Sequence, residues 1–243
     1  LTLRQAEIVE LCCHIDDMTA EALAFAGEQL LAQGALVTLK ITVTAVIMGM
    51  VLGTLLAVAR ISVFAPLRWF ATLYVNCFRS IPLVMVLLWF YLIVPQVLSN
   101  VLNLSPQTDI RLVSAVVAFS AFEAAYYAEI IRAGIQAVDK GQMEAARSCG
   151  MNGSQAMRYI IMPQAVKNIL PAIGNEFVTM IKETSIIQYL GIGDLMYNNG
   201  IVVTSTYNPL PCYYISAIIY LALNIILGKG LNIFEGRLRK SER

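Results

Sequence analysis

Between Ile41 and Ala59 lie nineteen residues without a charged side chain. A helix of that length reaches across the hydrocarbon of a bilayer with modest tilt. The feature recurs. Ser80 to Thr108 is also free of charge, with the apolar core IPLVMVLLWFYLIVP running from Ile81 to Pro95. Further apolar stretches run from about Ile110 to Ala137, Gln164 to Ile187 and Pro211 to Ile233. Within lipid, backbone N–H and C=O groups must be satisfied inside the segment, and a helix does this. The chain therefore reads as an all-α membrane protein with about five spans, at 35–59, 69–98, 110–137, 164–187 and 211–233. Composition agrees: 58% of the 243 residues are hydrophobic and 14% charged, where a soluble domain carries about 25% charged. A net charge of +1 gives no footprint for nucleic acid.

Basic residues set the expected orientation. Arg60, Arg68 and Arg79 lie between the first two spans. Arg132, Lys140, Arg147, Arg158 and Lys167 surround the connection after the third, and Lys229, Arg237, Arg239, Lys240 and Arg243 cluster at the C-terminal end. Between Lys182 and Lys229 there is neither Lys nor Arg. The positive-inside rule then makes the connections after spans one, three and five cytoplasmic. The N-terminus is expected outside and the C-terminus in the cytoplasm. Residues 1–34 read as an amphipathic leader outside the membrane domain, with Thr19 as a helix N-cap, and 35–240 as the membrane domain. The leader lacks the pattern of a signal peptide. The five cysteines, Cys12, Cys13, Cys77, Cys149 and Cys212, have no metal or disulfide spacing. Asp16 and Asp17 beside His14 read as a solvated charge run. No metal site is expected.

One polar stretch interrupts the apolar chain. GQMEAARSCGMNGSQAMRYIIMPQA, Gly141 to Ala165, sits in the cytoplasmic connection at 139–163. Gln142 to Cys149 reads as a short helix with Glu144 near its start, where a carboxylate suits the dipole. Gly150 ends it, Asn152 and Ser154 are candidate caps of a second helix, and Pro163 precedes the next span. A connection of this length implies a docking surface.

The stretch EAARSCGMNGSQAMRYIIMP resembles the EAA loop of ABC importer permeases. The family pattern is EAA, three residues, Gly, nine residues, Ile, any residue, Leu, Pro. It falls on Glu144, Ala145, Ala146, Gly150, Ile160, Met162 and Pro163, with Met162 the single departure. TLKITVTAV, YVNCFRSIPLVMVLLWFYLIVP and FEAAYYAEIIRAGIQ are similar to the polar-amino-acid permeases of that family. Residues 36–136 are most similar to a glutamate/aspartate importer permease, whereas the part after Gly150 looks more like a general polar-amino-acid permease. The resemblance implies a type I importer architecture in which Glu144, Ala145, Ala146, Gly150, Ile160 and Pro163 couple the spans to an ATPase. Residues 14–36 instead resemble a stretch of a nickel-insertion protein that builds the nickel-pincer cofactor. That implies a chain of composite origin joined near Gly34-Ala35-Leu36, the alternative being an unusual natural leader.

Polar residues inside spans mark further candidates, because ionisable groups there are costly. Glu129 and Arg132 are spaced to pair at i, i+3. Glu123 lies midway along the third span. The fourth is the most polar, with Asn175, Glu176, Thr179 and Lys182. Those residues and Glu123 are the candidate substrate pathway, with alternatives in helix–helix bonding for Glu123 and in local ion pairing for Lys182. Gly49, Gly53 and Ala57, four apart, form a small-residue row for close helix packing.

No G-x-x-x-x-G-K-[ST] phosphate loop is present, so no enzyme activity and no cofactor are expected in this chain. ATP and Mg are expected on a partner ATPase dimer. The other expected partners are a second permease, in a heteromer or homodimer, and an extracytoplasmic amino-acid-binding protein, all at a bacterial inner membrane. A self-sufficient channel or secondary transporter, or a composite chain that inserts without transporting, are the rival readings.

Overall fold

The computed structural model describes residues 20–102 and 110–240. Among these residues the secondary structure is helical throughout, with no strand. The helices are α1 (Ala20–Ile61), α2 (Ala65–Ser80), α3 (Leu83–Leu102), α4 (Arg111–Gln136), α5 (Lys140–Ser148), α6 (Gly153–Ala156), α7 (Met162–Glu183), α8 (Leu195–Thr206) and α9 (Pro209–Lys240). A π-helical turn, Met157–Ile161, joins α6 to α7, and a 3-10 helix, Thr184–Leu190, continues α7. Gly27–Ile61, Arg111–Gln136 and Pro209–Ile233 are long and apolar enough to cross a membrane, and α2 with α3 forms a bent pair that counts as one more. The Met162–Glu183 helix carries Lys167, Glu176, Lys182 and Glu183, which is why apolarity alone does not single it out.

Two boundaries look different in the structure. The stretch 69–98 is bent. α2 ends at Ser80, Ile81 is extended at φ −102° and ψ 136°, and α3 departs at 110°. Pro82 is the cause: its ring pushes the preceding residue out of the helical region. α1 runs unbroken from Ala20 through Gly34 to Ile61. Leu30 and Leu31 are buried. A Cβ on Gly34 would stand 2.7 Å from the Asp194 carbonyl oxygen and 2.8 Å from Leu195 Cα. The expected cap Thr19, together with Cys12, Cys13, His14, Asp16 and Asp17, lies outside the described residues.

The chain forms two compact units. One contains the described residues up to Val43 together with Met180–Ile225. Its polar interior is anchored by Asp194, which caps α8 by accepting from the Tyr197 N–H at 2.9 Å. Burial pushes the Asp194 carboxyl up to about 7, against the downward pull of backbone N–H groups including those of Tyr197 and Met196. Asn198 donates to the Leu30 carbonyl at 2.7 Å, and Thr38 Oγ1 accepts from the Leu195 N–H at 3.3 Å.

The other unit is Thr44–Thr179 with Ile226–Arg243, and α4 is its centre. The small-residue row of α1 lies directly on it. A Cβ on Gly49 would stand 2.7 Å from Glu123 Cβ, and one on Gly53 would stand 2.6 Å from Tyr127 Cβ and 2.9 Å from the Ala124 carbonyl oxygen. Ala57 is fully buried with Val75, Ala125 and Ala128. Lipid gives no hydrophobic drive for helix pairing, so this close approach supplies the dispersion contact that does.

Gly53→Ala is expected to destabilise the chain by about 1–3 kcal/mol, the usual cost of overpacking. Gly200→Ala meets nothing within 4 Å and serves as the neutral control. Thermal unfolding of both variants in detergent checks the difference.

Candidate functional site

The polar stretch begins where α4 stops. Asp139 caps α5, its carboxylate accepting the Gly141 N–H at 2.6 Å. The helix thus starts earlier than the sequence indicated, and Glu144 sits in its middle rather than its first turn. The dipole argument for Glu144 therefore fails. Glu144 and Ala145 are exposed, while Ala146 is buried beneath them.

Gly150 turns the chain. Its φ of +86° is open to glycine without the Cβ cost that other residues bear. Gly150 N–H donates to Arg147 O at 3.0 Å and Met151 N–H to Ala146 O at 3.2 Å. This pair of bonds is the Schellman closure of a helix end. Nothing lies within 4 Å of a Cβ at Gly150, so the corner is open to a partner. Asn152 then caps α6 by a reciprocal box, Gln155 N–H to Asn152 Oδ1 and Asn152 N–H to Gln155 Oε1, each 2.9 Å. Ser154 lies inside α6 and is not the cap.

No separate second short helix follows. α6 passes through the π turn into α7 without a break. Met162 N–H reaches back five residues to Met157 O. Ile160 is half-buried within this turn, and Pro163 is exposed in the first turn of α7 instead of ending the connection. Proline lacks an N–H and crowds the carbonyl four residues back, and the wider turn just before it relieves that conflict. Gln164 Nε2 donates to Ile160 O at 2.9 Å and to Gln142 Oε1 at 3.3 Å, tying α7 to α5. Behind the segment, α4 and α7 are in close contact: a Cβ on Gly134 would stand 2.3 Å from Ile169 Cγ1.

Glu129 and Arg132 pair, with Arg132 Nε 3.2 Å from Glu129 Oε2 and a second bond from Arg132 Nη2 to Glu129 Oε1. The cluster is larger than that pair. Arg60 from α1 also donates to Glu129, and Arg79 from α2 stands 3.9 Å away while its guanidinium lies 5.6 Å over the Tyr126 ring. Arg132 continues to Gln136. Sequence reasoning used Arg60 and Arg79 only as topology markers. Arg60 lies 69 positions from Glu129, and no local pattern joins residues so far apart.

Of the pathway candidates, Glu123 is fully buried. Tyr127, one turn further along α4, is fully buried as well and joins the candidate set, which the sequence did not indicate. Glu176 and Thr179 are half-buried, and Asn175 and Lys182 are exposed on the chain. Asn175 and Thr179 stand one helical turn apart in α7.

Glu129→Gln is expected to cost about 1.5–3 kcal/mol, the range for a hydrogen bond to a charged partner. It leaves Arg60 and Arg132 facing a neutral amide. A lowered unfolding midpoint in detergent, with Glu144→Gln unchanged, checks this.

Residues 49–240 match the family of binding-protein-dependent transport system inner membrane components. The chain is 58% identical over 164 residues to the glutamate/aspartate import permease protein GltK of Escherichia coli O6:H1, covering 68% of this chain and 73% of that protein. It is 43% identical over 195 residues to the arginine transport system permease protein ArtQ of Bacillus subtilis strain 168, covering 80% and 86%. A crystal structure of an amino acid ABC transporter with histidines superposes with a TM-score of 0.78 at 40% identity, covering 90% of this chain and all of that one.

Proposed function

Because the chain belongs to the inner membrane components of binding-protein-dependent transport systems, and is the permease subunit of an amino-acid ABC importer, we propose the following division of labour. The chain carries glutamate, aspartate or another polar amino acid across a bacterial inner membrane. A separate ATPase dimer supplies the drive by binding ATP and Mg and docking on α5, the Gly150 corner and the π turn. The permease itself catalyses no reaction. A second permease, different from this chain or identical to it, completes the pathway, and an extracytoplasmic binding protein delivers the substrate. The N-terminus faces outward, and the coupling segment and the C-terminal basic cluster face the cytoplasm.

The observation that carries the coupling role is the Gly150 corner. It presents Glu144 and Ala145 outward while Ala146 anchors α5. Both ends of the segment run into helices in close contact at Gly134 and Ile169. A push on α5 is thereby delivered to α4 and α7 together. Along α7, Asn175 and Thr179 supply a polar row for the pathway, with Glu176 beside it and Lys182 further along. Glu123 and Tyr127 extend the polar lining from α4.

Gly150→Trp tests the docking. A Cβ at this position meets nothing within 4 Å, so the variant adds local backbone strain and a bulky side chain at the partner-facing corner. Co-purification of an amino-acid-importer ATPase is expected to drop about tenfold, equivalent to roughly 1.4 kcal/mol of interface free energy. Equal capture by wild type and variant would remove the coupling role, and no capture by either would favour a self-sufficient transporter or a chain that inserts without transporting. For the pathway, Asn175→Leu combined with Thr179→Val is expected to lower amino-acid uptake while ATPase capture stays intact. Unchanged uptake would remove that polar row from the pathway.

A further inference from the structure

The helix after Ser80 is long enough to cross the bilayer on its own. α3 has twenty residues and a length of about 30 Å, the thickness of the hydrocarbon. That leaves α2, sixteen residues and about 24 Å long, with no crossing to make. The bend between them is 110°, so an upright α3 places α2 within about 20° of the bilayer plane. Two arginines that flank the segment reach one carboxylate. Arg60, just before α2, donates to Glu129, and Arg79, in the last turn of α2, stands 3.9 Å from the same carboxylate.

Helical spacing sorts the side chains of α2 into three rows. Ala71 and Val75 are buried, and Tyr74 and Phe78 join them against α4; the Tyr74 hydroxyl donates to Ala121 O at 2.7 Å. Arg68, Thr72, Asn76 and Arg79 form a polar row at steps of four, four and three. Trp69, Leu73 and Cys77 form an apolar row at steps of four, with Phe70 beside it. Trp69 is 68% exposed and Phe70 59%. Val63 and Phe64 extend the exposed apolar surface just ahead of the helix. A helix flat on the bilayer, with one edge on protein, needs both an acyl-facing and a headgroup-facing row. Tryptophan is the side chain most suited to that boundary, and an arginine beside it reaches phosphate.

We propose that α2 is an interfacial helix embedded in the cytoplasmic leaflet, with Trp69, Phe70 and Leu73 in the acyl boundary and Arg68 on phospholipid phosphates. The side of the membrane rests on the orientation given under Proposed function. α2 then acts as a float between α1 and α3, fixing the depth of the Glu129 cluster.

Spin labels on single cysteines test this in the complete importer reconstituted in phospholipid vesicles. Arg68→Cys, Trp69→Cys, Leu73→Cys and Asn76→Cys are made in a chain whose native cysteines are replaced by alanine. Oxygen, which partitions into lipid, is expected to relax labels 69 and 73 several-fold more than labels 68 and 76. A water-soluble nickel chelate is expected to show the reverse, and only from the face that exposes Glu144. Labels 69 and 73 shielded from both reagents would mean that a protein partner covers the row, and nickel access at all four would place α2 in water. Either result, or nickel access from the opposite face alone, overturns the proposal. ATPase capture measured on the same samples reports the transport reading separately, since its loss with the collision pattern intact would strike only that reading.

Discussion

A carboxylate inside a membrane span is stable only in company, and Glu129 has gathered arginines from three helices. Arg60 comes from the end of α1, Arg79 from the end of α2, and Arg132 from one turn along α4 itself. The ion cluster pins the entry and exit of the α2 segment to the last turns of α4. It also leads to the coupling segment, because Arg132 bonds Gln136 and Asp139 caps α5 three residues later.

Close contact does the rest. α4 meets α1 through Gly49 and Gly53 and meets α7 through Gly134. At each of these positions a single methyl group would collide with the neighbouring helix. Such joints resist sliding, since each ridge has one groove that fits it. In the coupling role proposed above, force would reach α4 and α7 from a nine-residue helix, α5. A loosely packed pair would absorb the displacement in side-chain rearrangement.

The sequence disclosed the membrane class, the small-residue row and the polar helical segment after α4, because each rests on local spacing. The Gly150 corner and the Asn152 cap were legible for the same reason: both depend on residues within five positions of each other. The bend at Pro82 is hidden from charge counts, which register apolarity and not direction. The start of α5 was misplaced because Asp139 was passed over as a cap in favour of a later acidic residue. The companions of Glu129 and the neighbourhood of Tyr127 were hidden altogether, since they join residues on different helices. Gly34, where the composition changes, lies inside α1 and fits against the Asp194 turn, a contact that no local spacing announces.

The π turn also decides which face this part of the chain buries. From α6 into the first half of α7 the buried positions are Ala156, Ile161, Ala165 and Ile169, spaced by five, four and four. The five-residue step falls across Met157–Ile161, where the π winding takes up the extra residue. The stripe that begins at Ala156 is thereby carried onto the face that Ala165 and Ile169 turn toward α4 at Gly134.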